Sequence, residues 1–126
     1  MVIICLFGQR YKDGADREKE AEIGTMLLDK LRLMEGFVSY HMYTAYNGEV
    51  LGVIRFDTRE ALDAWRDDQL HRSIWHHAPS FYEYFWIQNS ETYREYVWTP
   101  GGRIDEDLRE RFLAEGAGVY NMVGDV

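Results

Sequence analysis

One dipeptide, Asn47-Gly48, constrains the fold of this 126-residue chain more than any other feature. It separates Phe37–Tyr46, which is dense in aromatic and β-branched side chains, from the apolar run Val50–Asp57. Asn and Gly adopt the positive φ angles of a tight hairpin turn, and aromatic and β-branched types favour strands. We therefore expect two antiparallel neighbouring strands in the middle of the chain.

A helix is predicted before this hairpin. Asp16 is a suitable N-cap, and apolar residues then recur at helical spacing as far as Met34. Gly36 is a suitable residue to end the helix, because glycine readily adopts a left-handed conformation. The stretch Gln9–Ala15, which precedes the cap, is predicted to be a polar turn.

A second helical segment is predicted after the hairpin. Asp57 or Thr58 is expected to cap it, and Trp65 is expected to be buried on its apolar face. The polar run Arg66–Gln69 predicts a kink or an interruption, because an aspartate in this run can cap a new turn. Pro79 predicts the end of the segment.

Further strands are predicted at both ends of this pattern. Val2–Gly8 is apolar on both faces, so both must be covered. Helices can cover one face, and the other requires a second sheet, most simply that of a second subunit. Phe81–Gln88 and Tyr93–Trp98 are predicted to be either one long bent strand or a hairpin around Asn89-Ser90.

The order β-α-β-β-α-β indicates an α+β, ferredoxin-like domain over residues 1–98. Residues 99–126 are predicted to be a C-terminal extension with a short helix at Asp105–Ala114. The remaining tail is too apolar for a free linker, and we expect it to dock, for example on a partner subunit.

Composition excludes several classes of function. The net charge of −8 argues against binding nucleic acid or an anionic membrane, since both require a basic surface. Neither a signal peptide nor a transmembrane segment is predicted. The single cysteine, Cys5, excludes an intramolecular disulfide and favours a cytoplasmic location, with its thiol acting as a small buried hydrophobe.

The sequence also lacks the motifs of several common enzyme classes. It contains no GxGxxG, P-loop, paired CxxC, GxSxG or HExxH pattern, so nicotinamide, nucleotide, structural zinc and serine-hydrolase chemistry have no support. No metal site is predicted. The aromatic content of 15% indicates either an aromatic-lined cavity or interface, or an aromatic core.

Candidate site residues concentrate between Trp65 and His77, where two tryptophans and three histidines occur within thirteen residues. His71 is either a solvated surface residue or a general base, because imidazole titrates near neutral pH. Trp65 is either a core residue or a wall on which a planar ligand stacks. Trp75 and His76 are predicted to contact the ligand.

Two strands of the hairpin contribute further candidates. Arg55 interrupts an apolar strand and could bind a developing oxyanion, or pair with an acid across a dimer. His41 and Tyr43 could face the same ligand, although a histidine within a strand is commonly a satisfied core residue. Arg55 is therefore a candidate catalytic residue, and His41 and Tyr43 are candidate substrate contacts.

The order of these residues resembles the antibiotic biosynthesis monooxygenase family. An apolar strand ends in Phe56-Asp57, Arg-Glu-Ala follows at Arg59–Ala61, and Trp65 then precedes His71 by six positions. Gly36-Phe37 belongs to the same ordered set, and the resemblance covers residues 1–98. It implies a homodimeric α/β barrel in which each subunit encloses a pocket between its sheet and its helices.

One type of enzyme in that family oxidises anthrones without a cofactor. The resemblance matches Trp65 to its pocket tryptophan, whereas His71 stands at the position of its tyrosine and Ala61 at that of its asparagine. It implies a small cofactor-independent monooxygenase that combines O₂ with a planar quinol, phenol or anthrone-like compound. In this hypothesis His71 is the base, Trp65 shapes the stacking wall, and Arg55 with Tyr43 or His41 steadies the oxyanion.

Another type in the family degrades haem, and it implies an alternative function. Trp65 again matches the tryptophan. In an alignment without gaps, Trp75 occupies the position of the haem-ligating histidine, and His76 lies one residue beyond it. Phe7 stands near the position of the required asparagine. On a continuous helix, His76 would face the same way as Trp65, eleven residues earlier. A non-catalytic ligand-binding module on the same fold is the third possibility.

Overall fold

The computed structural model describes residues 2–95, which form one sheet and several helices packed against it. The strands are β1 (Ile3–Tyr11), β2 (Phe37–Thr44), β3 (Val50–Phe56) and β4 (Tyr82–Glu91). The helices are α1 (Arg17–Arg32), α2 (Arg59–Asp67), α3 (Gln69–Ser73) and α4 (Ala78–Phe81), with a 3₁₀ turn at Trp75–His77.

The four strands form a sheet of order β2-β3-β1-β4 in which all neighbours are antiparallel. This order, together with the helices between β1 and β2 and between β3 and β4, confirms the predicted ferredoxin-like α+β fold. The predicted hairpin is also confirmed: the Ala45 N–H donates to the Glu49 carbonyl at 2.7 Å, and Gly48 has a φ of +86°.

Local capping determines where α1 begins and how the chain leaves it. An Asp16 carboxylate oxygen accepts a hydrogen bond from the Lys19 N–H at 3.0 Å, as the sequence predicts. Gly36 has a φ of +86°, and a Cβ placed there would lie 2.6 Å from the Ala61 Cβ. Glycine at this position therefore permits both the turn and the close approach of α2.

The second helical segment is interrupted, as predicted. The Thr58 hydroxyl caps α2 by accepting from the Ala61 N–H at 3.1 Å, and α2 ends at Asp67. Asp68 then caps α3 by accepting from the His71 N–H. Pro79 does not end the segment, because it occupies the first turn of α4, where a missing N–H costs no helical hydrogen bond.

One prediction about the strands was wrong. Gln9–Tyr11 are part of β1 rather than of a polar turn, and Gln9 pairs with both Val50 and Phe85. Polar side chains did not end the strand, because Arg10 faces away from the helices and forms an ion pair with Glu83.

For the end of the sheet the sequence left two alternatives, and the structure excludes the hairpin. β4 runs continuously through Asn89 and Ser90, which pair with Cys5 and Ile4. Residues 93–95 are not in a strand. The rest of the predicted strand Tyr93–Trp98, the helix Asp105–Ala114 and the apolar tail lie outside the described residues.

The two faces of the sheet have different surroundings. The helix-facing side carries Ile3, Cys5, Ile54 and Phe56, which pack with Leu31, Leu62 and Trp65 into the core. The opposite face carries Ile4, Leu6 and Val53. Among residues 2–95, no helix is long and apolar enough to cross a membrane.

Candidate active-site cavity

A cavity of about 410 Å³ lies between the sheet and the helices. Residues from β1, α1 and β4 line it, together with Trp65 and residues of the chain that follows α2. A volume of this size suits a small organic ligand, and the lining is mainly apolar and aromatic.

The sheet contributes a cluster of aromatic rings to this cavity. The Phe7 ring meets the edge of Tyr40 at a centroid distance of 5.9 Å and lies parallel to Phe85 at 5.7 Å. Gly52 makes room for Phe7, because a Cβ at Gly52 would lie 2.0 Å from the Phe7 Cζ. The sheet therefore presents a broad aromatic wall rather than a row of separate side chains.

The helical side of the cavity contributes a second aromatic cluster. Trp65 is buried in the core, and the His71 ring stacks on it with a centroid distance of 4.1 Å and an interplanar angle of 11°. Trp75 meets His71 edge-on at 5.8 Å, which places three sequence-predicted site residues together. Trp75 is 46% exposed, so it lies where the cavity meets solvent.

A hydrogen bond at Nδ1 determines which nitrogen of the His71 ring carries the proton. Nδ1 lies 2.9 Å from the Trp65 carbonyl oxygen. A carbonyl oxygen only accepts, so we assign the ring proton to Nδ1, and the lone pair of the neutral ring is then on Nε2. The backbone N–H of the same residue donates to Asp68 Oδ2 at 3.2 Å, which holds the start of α3 in place.

Burial keeps this imidazole neutral. Desolvation lowers the pKa of His71 below its ordinary value of 6.5, while the hydrogen bond to the Trp65 carbonyl and the charge of Asp68 act in the opposite direction. The net shift is downward, so at pH 7 the ring is mainly in the form that accepts a proton. His71 thus has both the protonation state and the tautomer that a general base requires.

The carboxylate of Glu20 is a polar group in the cavity lining, near the end of β1 and the start of β4. Glu20 accepts hydrogen bonds from the Tyr11 hydroxyl at 2.9 Å and from the Tyr82 hydroxyl. The Arg17 guanidinium lies over the Tyr11 ring at 4.0 Å from its centroid. Glu20 sits in the first turns of α1, where the sequence signal is only that of a favourable helix-start charge.

Three predicted site residues lie on the other face of the sheet. The register pairs Ser39 with Arg55, His41 with Val53 and Tyr43 with Leu51. Arg55 Nη1 donates to the Ser39 hydroxyl at 3.5 Å. The structure therefore does not bring Arg55, His41 or Tyr43 together with His71, because alternate strand residues point to opposite faces.

His76 is exposed and does not line the cavity. The break at Asp68 removes the helical alignment that would have brought it beneath Trp65, and its ring instead packs on His77 at 4.1 Å. The arrangement therefore does not fit a haem held in this cavity by His76. Within residues 2–95, no three His, Cys, Asp or Glu side chains are grouped closely enough to hold a metal ion.

The sequence matches no protein-family model and no curated protein. Solved structures, however, resemble it. The Rv0793 protein of Mycobacterium tuberculosis gives a TM-score of 0.66 at 16% identity, over 77% of this chain and 100% of that protein. The SO0527 protein of Shewanella oneidensis gives 0.61 at 20% identity, over 71% of this chain and 88% of its own.

An antibiotic biosynthesis monooxygenase is among these structural neighbours. It gives a TM-score of 0.62 at 12% identity and covers 75% of this chain and 100% of its own. Identity at this level shows a shared fold and no more. The chain therefore has the ferredoxin-like α+β fold of these proteins.

Proposed function

We propose that the protein is a cofactor-independent monooxygenase of the antibiotic biosynthesis type, acting on a planar quinol, phenol or anthrone-like compound. The observation that carries this proposal is the neutral His71, which stacks on Trp65 at the wall of an aromatic cavity. An electron-rich substrate anion is the step that such chemistry needs, and a base at this position supplies it.

His71 Nε2 removes a proton from an acidic C–H or phenolic O–H of the substrate. The resulting imidazolium is stabilised by the Trp65 carbonyl at Nδ1 and by the nearby Asp68 carboxylate. The substrate anion then passes an electron to O₂, the two radicals combine to form a carbon–oxygen bond, and the resulting peroxide anion takes the proton back from the His71 imidazolium. For anthrone, loss of water from this peroxide gives anthraquinone, so the substrate provides all the electrons and no other reductant enters.

The aromatic walls orient the substrate. Trp65 on the helical side and Phe7 on the sheet side line the space that would hold a planar ring system, and the apolar lining excludes water from the anion. Arg55, His41 and Tyr43 have no part in this scheme, since they lie on the opposite face of the sheet.

The same proposal includes a cytoplasmic homodimer. The partly exposed residues Ile4 and Leu6 share the sheet face opposite the helices, and a second sheet would cover them. The lone Cys5 is buried, and burial raises its pKa to about 11, so it is an unreactive thiol rather than a nucleophile.

Oxygen consumption with anthrone tests the proposed reaction. The wild type should consume one O₂ per anthraquinone formed, without added metal, flavin or haem. His71→Ala should lower kcat by about 100-fold or more while still binding anthrone, because it removes the base and keeps the walls. His76→Ala is the matched control and should retain full turnover, since that imidazole lies outside the cavity.

Two results would contradict this function. Turnover that His71→Ala leaves unchanged would remove His71 from the mechanism. A wild type that binds anthrone but never consumes O₂ faster than buffer would favour the non-catalytic ligand-binding module.

A further inference from the structure

Gln9 is a polar side chain in an otherwise apolar part of the fold. It lies on the helix-facing side of β1, two residues after Phe7, and pairs with Val50 and Phe85 on the neighbouring strands. The residue is 3% exposed, and it lines the same cavity as His71. Its position follows from the extension of β1 beyond Gly8, where the sequence predicted a turn.

The amide of Gln9 makes no hydrogen bond within residues 2–95, and it is accessible from the cavity rather than sealed in the core. The Glu20 carboxylate, which lines the same cavity, accepts from the hydroxyls of Tyr11 and Tyr82. Burial of an amide without a hydrogen bond is unfavourable, and nearly all buried polar groups in proteins have a partner. A buried amide that faces a cavity is satisfied when a ligand supplies the missing group.

We propose that Gln9 is a positioning residue that hydrogen-bonds an oxygen atom on the planar ligand of this cavity. This inference rests on the proposed function and adds to it, because it names the side chain that recognises the hydroxyl or carbonyl group of such a compound. The amide has one acceptor oxygen and two N–H donors, so it can accept from a phenol or donate to a ketone.

The proposal assigns different tasks to the two sides of the cavity. The aromatic lining of the cavity, which includes Trp65 and Phe7, favours a planar ring system but does not determine its rotation within its plane. A hydrogen bond from Gln9 to a ring oxygen determines this rotation and therefore which atom lies against His71. Specificity of this kind is strong, because a ligand without the oxygen leaves the amide unpaired.

Calorimetric titration with naphthalene and 2-naphthol tests the proposal, since these probes differ by one hydroxyl. The wild type should bind 2-naphthol at least about tenfold more tightly than naphthalene. In Gln9→Met this preference should shrink to about twofold or less, while the affinity for naphthalene is retained. Gln88→Met is the matched control: Gln88 is exposed on the opposite face of the sheet, and its substitution should leave the preference intact.

Thermal unfolding of the ligand-free protein gives an independent readout. Gln9→Met should unfold at a higher temperature than the wild type, because an apolar side chain of similar length replaces an unpaired amide. If the Met variant does not fold, Gln9→Leu serves in both measurements. A preference for 2-naphthol that survives the substitution, or a fall in the unfolding temperature, would overturn the proposal.

These outcomes are separable from those of the proposed function. A protein with no oxygenase activity whose preference depends on Gln9 would support the binding role alone. A protein whose turnover requires His71 and whose ligand preference ignores Gln9 would support the oxygenase and refute the binding role.

Discussion

At the scale of single residues, His71 shows how a backbone group can set up a base. The Trp65 carbonyl, six residues earlier in the chain, accepts the Nδ1 proton, while the Trp65 ring stacks against the imidazole. One residue thus both orients the ring and desolvates it. A carboxylate in place of the carbonyl would raise the pKa of His71 more strongly and favour the charged ring.

The lowered pKa of His71 predicts how stability depends on pH. The unfolded chain takes up a proton near the ordinary value of 6.5, whereas the folded state resists protonation until the pH is lower. The stability that comes from the neutral ring is fully present above pH 6.5 and is lost as the pH falls from there towards the folded-state pKa. Relative to His71→Gln, the wild type should lose free energy of unfolding over this range.

Urea unfolding of both proteins at about pH 7.5 and about pH 5 measures the difference. Other titrating groups contribute almost equally to the two proteins, so the comparison isolates His71. Equal pH dependence in the two proteins would show that the ring is solvated in the native state.

At the scale of elements, the break between α2 and α3 decides which histidine meets Trp65. A continuous helix would place His76 three turns after Trp65 on the same face. Asp68 ends α2 and caps α3, so the chain changes direction and His71 folds back onto Trp65 instead. The same aspartate accepts the His71 N–H and lies 3.6 Å from Lys30 Nζ.

Replacement of Asp68 by alanine should therefore affect both stability and turnover. Loss of the cap should lower the free energy of unfolding by about 1 kcal/mol. Turnover should fall because His71 loses the cap that holds its backbone N–H. Denaturant titration and O₂ consumption measure the two effects.

Asp67→Ala is the matched control for this substitution. Asp67 is half-exposed and pairs with Arg66 and Arg72 at the surface, where such pairs contribute little. It should leave both the free energy of unfolding and turnover essentially unchanged. Equal effects of the two substitutions would show that the cap does not position His71.

At the scale of the whole molecule, the sheet divides the protein into two chemically different sides. The helix-facing side encloses the cavity, whereas the opposite side presents Leu6 beside Val53 and Gln88 on the neighbouring strands. This second face also carries Arg55, which the sequence suggested for catalysis. A position there suits a contact between subunits better than contact with the substrate.

The proposed homodimer predicts a mass of twice the 14.9 kDa of one chain. Leu6→Asp should weaken the dimer by at least tenfold, roughly 1.4 kcal/mol, because it places an unpaired charge between the sheets. Sedimentation equilibrium measures the dissociation. Leu33→Asp is the control, since Leu33 is 87% exposed near the end of α1 and should leave the mass unchanged.

A wild type that sediments as a monomer at all concentrations would contradict the dimer. A dimer that Leu6→Asp leaves intact would place the interface elsewhere.

Local signals in the sequence were sufficient for most of the fold. The Asn47-Gly48 turn, the Asp16 and Thr58 caps and the interruption before α3 each depend on residues only a few positions apart. Such signals act through the backbone of their own segment, so they can be read without knowledge of the rest of the chain. The element order then restricted the topology to the ferredoxin-like arrangement.

Only the tertiary structure decided which side chains share the cavity. Alternation along β2 and β3 divides the residues into two sets, but packing of the helices determines which set they cover. A bulge between Phe37 and Ser39 adds a further shift, so that Phe37 packs against the core while Ser39 faces away. Gln9 lines the cavity because β1 continues beyond Gly8, where it pairs with β3 and β4. His71 lines it because the chain changes direction at Asp68 and brings the imidazole against Trp65. These outcomes depend on contacts between distant segments, which residue type and spacing do not specify.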